Sequence, residues 1–417
     1  MLMKEKTEIR KIEALEVLDS RSGPTVRCRV TLASGEVGSA DVPSGASTGR
    51  HEAHEKRDGG ARFGGRGVRG VCEKIETELA PALIGSDAAD QRLTDSLLIR
   101  ADGAPDKSRY GANALLAVSL ATARAAASAC GLPLYRYLGG IYGARLPVPM
   151  MNVLGGGRHA HNNVEIQEFM LVPVGLSSFS EGVRACSEIY SCLGALLRKA
   201  GHSAAVSDEG GYSPNLSCDE EAVKLLCEAI ECAGYGTDKV KIALDVAASE
   251  WARGGAYRTP KNGEEFSADE LCEKLLLLAE NYPIISIEDP MGEDDDAGWQ
   301  SITERLCKKL MLVGDDLFAT DAHRINVLSA KGCGNAALIK PNQCGTLSET
   351  LAAVQAAKRA GFKTIVSHRS GDTADAFIAD LAVAVNADFI KAGAPARGER
   401  VAKYNRLLEI EKDICSL

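Results

Sequence analysis

The sequence lacks several features that would assign it to a specialised class of protein. It has no Cys-x-x-Cys pair, so neither a zinc ribbon nor a thioredoxin-like redox motif is indicated. Its most apolar stretch, 112–130, is rich in alanine and carries Arg124, which favours a buried helix over a membrane span. Residues 1–8 are rich in charge and hold no apolar signal core. We therefore expect neither a membrane span nor a secretion signal.

Positive charge is also in short supply. The 48 Lys and Arg residues are outnumbered by 57 Asp and Glu, which gives a formal net charge of -9. This balance argues against a nucleic-acid partner, although a local cationic site could still bind an anionic substrate. The 13 cysteines are scattered through 417 residues, a length that needs no disulfide staples. They predict reduced, mostly buried thiols and a cytoplasmic protein.

The length and the early pattern predict two domains. Residues 26–32 alternate between apolar and polar, which indicates a half-buried strand, and the Ala-Ser-Gly at 33–35 is typical of a hairpin turn. Apolar residues at helical spacing in 68–79 and the alanine-rich 112–130 predict helices. We assign residues 1–140 to an α+β N-terminal capping domain.

From about Pro147 the pattern changes to short β-rich runs that alternate with amphipathic helices. Three of these helices are predicted to begin with a Ser/Thr-x-x-Glu capping box, at Ser217, Ser267 and Thr346. Repeated strand–helix units indicate a parallel sheet, and this number of units indicates a barrel. The predicted fold class is therefore α/β, with a modified TIM barrel at 141–417.

Six of the β-rich runs end in a charged or polar side chain, at intervals of 43, 27, 25, 28 and 23 residues. In a barrel such residues converge on the C-terminal face, where the active sites of this fold lie. One Asp after a strand is ordinary turn chemistry, but six in register, with three acids before the basic groups, predict a functional site. The six are Asp245, Glu288, Asp315, Lys340, His368 and Lys391.

The three acids predict a magnesium site, because three carboxylates leave room for substrate oxygens and water around a hard divalent ion. The alternative is a set of salt bridges to the nearby lysines. We expect a metal and a second lysine to lower the pKa of Lys340 toward that of a useful base. Arg369 and Ser370 offer donors suited to phosphate, and Glu209 adds an acid on a glycine-rich, flexible turn. These groups suggest proton abstraction beside a carboxylate, followed by elimination.

At these residues the sequence closely resembles the enolase family, and the matching motifs extend over nearly the whole chain. They are PSGASTG (43–49), GANA (111–114), PMMNVL (149–154), QEFM (167–170), DEGG (208–211), SIEDP (286–290), GDDL (314–317), NQ (342–343), GTLSE (345–349), SHRSG (367–371) and KAGAPAR (391–397).

The resemblance implies a hydro-lyase that converts 2-phospho-D-glycerate to phosphoenolpyruvate with two Mg²⁺ ions per site, as a homodimer or an octamer of dimers. Superfamily members use a Lys or His base with Mg²⁺. Here Asp245, Glu288 and Asp315 would hold one ion, and Ser47 would help to hold the second. Lys340 would be the base and Glu209 the acid. The implied substrate-binding residues are His159, Gln167, Glu168, His368, Arg369, Ser370 and Lys391.

The chain departs from the usual family pattern on two loops. Gly155 and Arg158 replace the usual Asn and Ser before His159, and Ser207 replaces a usual Gly before Asp208. At the expected dimer interface, Arg27 and Glu409 reverse the usual signs of an ion pair. We expect the dimer to persist, with Arg27 paired to Glu409 of the partner subunit. Independent drift of an exposed surface is the alternative.

Two rival functions can be separated from this one. An acid-sugar dehydratase of the same superfamily usually has Lys-x-Lys on the second barrel strand, and the run that we take as its counterpart, 204–208, has no Lys. A surface-adhesion protein on the same scaffold need not keep the catalytic set, and this chain keeps all of it.

Overall fold

The computed structural model describes residues 3–45 and 49–416, so Ser47 lies outside the described residues. The N-terminal region holds three strands, β1 (Ile9–Leu18), β2 (Pro24–Leu32) and β3 (Val37–Asp41). They form an antiparallel sheet in the order β1-β2-β3. The helices of this region are α1 (Met3–Lys6), α2 (Arg69–Lys74), α3 (Ala80–Leu83), α4 (Gln91–Asp102), α5 (Ala112–Ala129) and α6 (Leu134–Gly139).

The alanine-rich sequence of α5 explains how this helix reaches the sheet. Fifteen of its 18 residues are buried, and the small side chains allow a close approach to β2 and β3. Gly38 makes the closest approach, since a Cβ there would lie 2.1 Å from the Ala121 carbonyl oxygen. The predicted strand at 26–32, the turn at 33–35 and the two helices are confirmed.

The second region is a closed barrel of eight strands. They are β4 (Val148–Gly155), β5 (Glu168–Val172), β6 (Lys241–Asp245), β10 (Ile284–Glu288), β11 (Met311–Gly314), β12 (Ala336–Ile339), β13 (Lys363–Ser367) and β14 (Phe389–Lys391). A small antiparallel sheet follows β6, with strands β7 (Ala252–Arg253), β8 (Ala256–Arg258) and β9 (Glu265–Phe266).

Helices surround the barrel. They are α7 (Phe179–Lys199), α8 (Asp219–Cys232), α9 (Ala268–Asn281), α10 (Asp296–Leu306), α11 (Ala322–Ala330), α12 (Pro341–Cys344), α13 (Leu347–Arg359), α14 (Phe377–Ala384) and α15 (Gly398–Cys415). Within the described residues, no helix combines the length and apolar character needed to cross a membrane. All thirteen cysteines are free thiols, and six of them are buried.

The predicted modified TIM barrel is confirmed, and one strand departs from the parallel sheet that the strand–helix units indicate. β5 is antiparallel to both of its neighbours, because β4 and β5 are joined by a loop without a crossover helix, while α7 and α8 both follow β5. The run 204–208, taken from the sequence as the second barrel strand, is instead part of a loop after α7. The true second strand, Glu168–Val172, also contains no Lys, so the argument against an acid-sugar dehydratase keeps its conclusion.

Two of the three predicted capping boxes begin helices as expected. Ser267 caps α9 in a complete capping box, and Thr346 caps α13 through the Glu349 amide. The prediction of a capping box at Ser217 is wrong. The N-cap residue of α8 is Cys218, one residue after the predicted position. Ser217 instead donates its backbone N–H and its hydroxyl to Glu221, both at 2.6 Å.

A half-buried ion pair joins the N-terminal region to the barrel. Arg124 of α5 donates to both carboxylate oxygens of Asp375, at 2.6 and 2.7 Å, and Asp375 also accepts from the Asp41 amide of β3. A second contact pairs the backbone of Ser44 with that of Gly371. These contacts hold the loops of the N-terminal region over the C-terminal rim of the barrel.

Candidate active site

Six barrel strands end at the six residues identified from the sequence. Asp245, Glu288 and Lys391 are the last residues of β6, β10 and β14, and Asp315, Lys340 and His368 directly follow β11, β12 and β13. The parallel direction of these strands brings all six to one rim. Glu168 reaches the same rim from the start of β5, because that strand runs in the opposite direction.

Lys391 lies at the centre of the carboxylates. Its Nζ is 2.8 Å from both oxygens of Glu288 and 3.2 Å from oxygens of Asp245 and Glu168. Burial lowers the pKa of Lys391, but the Asp245, Glu168 and Glu288 carboxylates outweigh it and raise that pKa well above its ordinary value. These ion pairs therefore favour the protonated, positively charged form of Lys391.

Lys340 forms an ion pair with Asp315, and Gln343 donates to the other Asp315 oxygen at 2.9 Å. Although burial opposes it, the Asp315 carboxylate raises the pKa of Lys340. This direction is opposite to the one predicted from the sequence, because the structure pairs the ammonium directly with a carboxylate. The sequence argument had considered only the repulsion of the Lys340 ammonium by a metal ion and a second lysine.

Across the barrel from Lys340 lies a cluster of two glutamates and a histidine. His159 Nδ1 is 3.3 Å from Glu168 and 3.6 Å from Glu209, and all three side chains are buried. Burial and the Glu209 charge raise the pKa of Glu168. Although burial opposes it, the two neighbouring histidines hold the pKa of Glu209 well below its ordinary value.

The turn that carries Glu209 is fixed by hydrogen bonds, in contrast to the flexible turn suggested by its glycines. The Ser207 amide donates to the Gly211 carbonyl at 2.7 Å, and the Tyr212 amide donates to Val153 of β4 at 2.9 Å. Asn152 of β4 also donates to a Glu209 oxygen at 3.1 Å. The acid is thereby held at a defined place above the barrel.

Side chains from the N-terminal region and from the barrel accept hydrogen bonds from Arg369. Its guanidinium donates to both oxygens of Glu52, at 2.8 and 3.2 Å, and to the Asn342 side chain at 3.2 Å. Ser370 is buried beside it, and its carbonyl accepts from Arg400. The guanidinium and the neighbouring hydroxyl are suited to a phosphate.

A small cavity of about 30 Å³ lies between these groups, which is the space of roughly one water molecule. Eleven of the thirteen sequence-predicted residues line it: His159, Gln167, Glu168, Glu209, Asp245, Asp315, Lys340, His368, Arg369, Ser370 and Lys391. Glu288 lies behind Lys391, and Ser47 is outside the described residues. The cavity therefore brings together nearly the whole set of residues predicted from the sequence.

The acidic groups on this rim fit a hard divalent cation. Burial and a neighbouring carboxylate raise the pKa values of Glu288, beside Asp245, and of Asp289, beside Asp316, well above their ordinary range. A cation would relieve this repulsion, and a donor set of carboxylate oxygens matches Mg²⁺ better than Zn²⁺. Asp289, Asp315 and Asp316 bring their ligand atoms within 4.8 Å of one another.

The loop residues that differ from the usual family pattern contact other parts of the chain. Arg158 forms an ion pair with Glu250 at 2.6 Å. A Cβ at Gly155 would lie 3.2 Å from the Ser207 hydroxyl, so the two departures at 155 and 207 are neighbours. The volume that a larger residue at 155 would take is partly filled by Ser207.

Sequence reasoning gave no role to several residues that support the site. Arg400, Glu52 and Asn152 contact predicted residues, and only their positions in the fold identify them. Asp289 accepts the amides of Asp315 and Asp316, both at 2.9 Å. Asn342 and Gln343 could have been identified from the sequence, because they form a family motif that lies two residues after Lys340.

Comparisons with known proteins agree with this architecture. The family model described as "Enolase, N-terminal domain" matches residues 9–138, and "Enolase, C-terminal TIM barrel domain" matches residues 143–417. A curated protein named "Enolase" from a Nitratiruptor species is 52% identical over 404 residues, which cover 97% of this chain and 96% of that protein. By fold, by rim chemistry and by these matches, the chain belongs to the enolase family of lyases.

Proposed function

We propose that the protein is a hydro-lyase that interconverts 2-phospho-D-glycerate and phosphoenolpyruvate in glycolysis and gluconeogenesis. One observation carries the proposal. Lys340 follows β12, while Glu209 lies on a turn bridged to β4, and three steps around the ring separate these strands. A base and an acid thus face each other across the barrel, an arrangement suited to removing a proton and a hydroxyl from opposite faces of adjacent carbons.

Two Mg²⁺ ions are the proposed cofactors. Asp245, Glu288 and Asp315 would hold one, and Ser47 would help to hold the other. When bound, they would supply positive charge against the substrate carboxylate. The excess of buried carboxylates on the rim supports this assignment.

Lys340 removes the C2 proton in the proposed mechanism. Its ammonium must first lose a proton, and it is buried against Asp315, whose charge stabilises the protonated form. Neutralisation of Asp315 would lower the pKa of Lys340 toward that of a base. Lys391, held by three carboxylates, supplies a fixed charge against the carboxylate oxygens on which negative charge develops.

Glu209 donates the proton on which the C3 hydroxyl leaves. In the structure it is held by Asn152 and flanked by two histidines, so Glu209 must take up a proton from a neighbouring group or from water before it can donate one. Glu168, whose pKa is raised by burial and the Glu209 charge, lies beside it and can hold a shared proton. His159 and Gln167 line the same wall and exclude water from the reacting carbons.

Arg369 and Ser370 bind the phosphate, and His368 lies between them and Glu209.

The boundary between the two domains is proposed at residues 140 and 141, and the protein is proposed to act in the cytoplasm. A homodimer, or an octamer built from dimers, is the proposed assembly. The exposed Leu15 and Leu18 of β1, 56% and 58% accessible, support an interface at that edge of the N-terminal sheet.

The direct test is the appearance of phosphoenolpyruvate by ultraviolet absorbance after 2-phosphoglycerate is added. We expect turnover with 2-phosphoglycerate and none with an acid sugar that lacks phosphate. Turnover of the acid sugar alone would assign the chain to a different reaction of the same superfamily.

A further inference from the structure

The phosphate-binding arginine is already occupied by an anion from the chain itself. The Glu52 carboxylate meets the Arg369 guanidinium through two hydrogen bonds, at 2.8 and 3.2 Å. The two side chains are 7% and 4% exposed. This paired geometry is the one that a guanidinium also offers to phosphate.

The remaining contacts of Glu52 hold it in this position. Its Oε1 accepts from the Gly49 amide at 3.0 Å and lies 3.5 Å from the Gln343 amide nitrogen. Glu52 belongs to the N-terminal region, whereas Arg369 follows β13 of the barrel. The ion pair therefore crosses from one region to the other, directly above the rim.

A phosphate and the Glu52 carboxylate would repel each other at this guanidinium. Both are anions, and the site is buried, so water screens their repulsion weakly. A phosphate that takes the same N–H groups must therefore displace Glu52.

The structure provides a place to which Glu52 can move. Arg369 lines the small cavity of the site, and Glu52 lines a second cavity of about 590 Å³. Arg21, Arg57 and Arg66 also line the larger cavity. A displaced carboxylate can thus find new cationic partners within the same fold.

We propose that Glu52 is a resident anion that occupies Arg369 until a phosphoryl group displaces it, and that this exchange selects phosphorylated ligands. A singly charged carboxylate gains nothing by replacing another carboxylate, whereas a phosphate dianion offers more charge and three acceptor oxygens. The inference deepens the proposed function, since it rests on Arg369 as the phosphate site. Glu52 is a specificity-determining residue in this account and takes no part in proton transfer.

The test is the binding of inorganic phosphate and of acetate, measured by calorimetry in magnesium-containing buffer. Glu52→Gln removes the charge and keeps the shape. We expect its apparent Kd for phosphate to fall about tenfold, as it would if the competent state of the wild type were populated at about one tenth. Acetate should bind to the variant and not to the wild type. Glu55→Gln is the matched control, because it removes a neighbouring charge that pairs with Arg57.

A double variant shows where the anion binds. Glu52→Gln with Arg369→Met removes both partners, so no buried charge is left unpaired, and the gain in phosphate affinity should disappear. Unchanged or weaker phosphate binding in Glu52→Gln would overturn the proposal and make Glu52 a group that orients Arg369. An equal gain in phosphate affinity in Glu55→Gln would also overturn the proposal, because it would attribute the gain to the loss of any nearby negative charge. Because this titration needs no turnover, absence of lyase activity would count against the proposed function alone.

Discussion

Arg400 donates from Nη1 to Nδ1 of His368 at 2.7 Å. A guanidinium can only donate, so Nδ1 accepts and the neutral ring carries its proton on Nε2, which lies 3.4 Å from Glu209. Burial, together with the Arg400 charge, outweighs the attraction of Glu209 and lowers the pKa of His368 to about 4. A neutral histidine therefore faces the proposed acid.

The first prediction is that His368 stays neutral, as the Nε2–H tautomer, at pH 7. Nitrogen chemical shifts of the labelled ring should show protonation only near pH 4. Because this folded-state pKa lies below the ordinary value of about 6.5, this group should cost folding stability as pH falls from about 6.5 toward 4. A doubly protonated His368 ring at pH 7 would contradict the geometry.

The second prediction concerns the ion pair between Arg124 and Asp375. Asp375→Ala should lower the free energy of unfolding by about 3 kcal/mol, because it leaves a mostly buried guanidinium without its carboxylate partner. Burial opposes ionisation of Asp375, but Arg124 outweighs it and lowers that pKa. The contribution should be complete above the ordinary Asp pKa of about 3.9 and be lost as pH falls below it.

Urea unfolding measures this change, and Arg184→Ala is the control. Arg184 pairs with Glu181 on the exposed surface of α7, so its removal should leave the unfolding midpoint unchanged. Equal effects of the two variants would show that the contact between Arg124 and Asp375 contributes no more than a surface pair.

The third prediction concerns the metal. Lyase activity should vanish in EDTA and return with Mg²⁺, and Mg²⁺ should raise the Tm of the wild type, because a ligand that binds only the folded state stabilises it. Asp245→Asn should reduce this Tm shift, while Asp294→Asn, at an exposed carboxylate, should not. Full activity in EDTA would refute the magnesium site.

The fourth prediction concerns the dimer. Arg27 is paired with Asp41 of its own chain at 2.5 and 2.8 Å, and Glu409 with Arg406 at 3.0 Å. We still expect Arg27 to contact Glu409 of the partner subunit, since Arg27 remains 37% exposed. Glu409→Arg should weaken association in sedimentation equilibrium, and adding Arg27→Glu should restore it. Arg27→Gln is the control, because Arg27→Glu also places a glutamate beside Asp41 of the same chain. A double variant whose subunits associate no more tightly than those of Glu409→Arg would rule out the contact.

Sequence periodicity predicted most of the barrel and its rim, because strand ends in a parallel sheet meet at one edge. It failed at β5, since the reversed strand brings Glu168 to the rim from its first residue. No strand-end rule detects that, and only the family resemblance identified Glu168 and Gln167. Contacts made by residues distant in sequence, such as those of Arg400 and Glu52, depend on how the two regions dock, and local patterns carry no signal for them.

The direction of the Lys340 pKa also could not be predicted from the sequence. The residues that determine this pKa are close together in the fold. Whether the pKa rises or falls depends on whether the Asp315 carboxylate contacts the Lys340 ammonium or a metal cation. The sequence pattern places Lys340 and Asp315 on the same rim, but it does not show which group each of them contacts. The structure shows the ion pair.

The central claim is that Lys340 and Glu209 act in separate steps from opposite sides of the barrel. The measurement that tests it most directly is exchange of the C2 proton of 2-phosphoglycerate in deuterated water, for Lys340→Ala and Glu209→Gln, with the unfolding midpoint confirming that each variant is folded. We predict that Lys340→Ala abolishes exchange, and that Glu209→Gln retains exchange while losing elimination, because abstraction precedes departure of the hydroxyl. Equal loss of exchange in both variants would contradict the account.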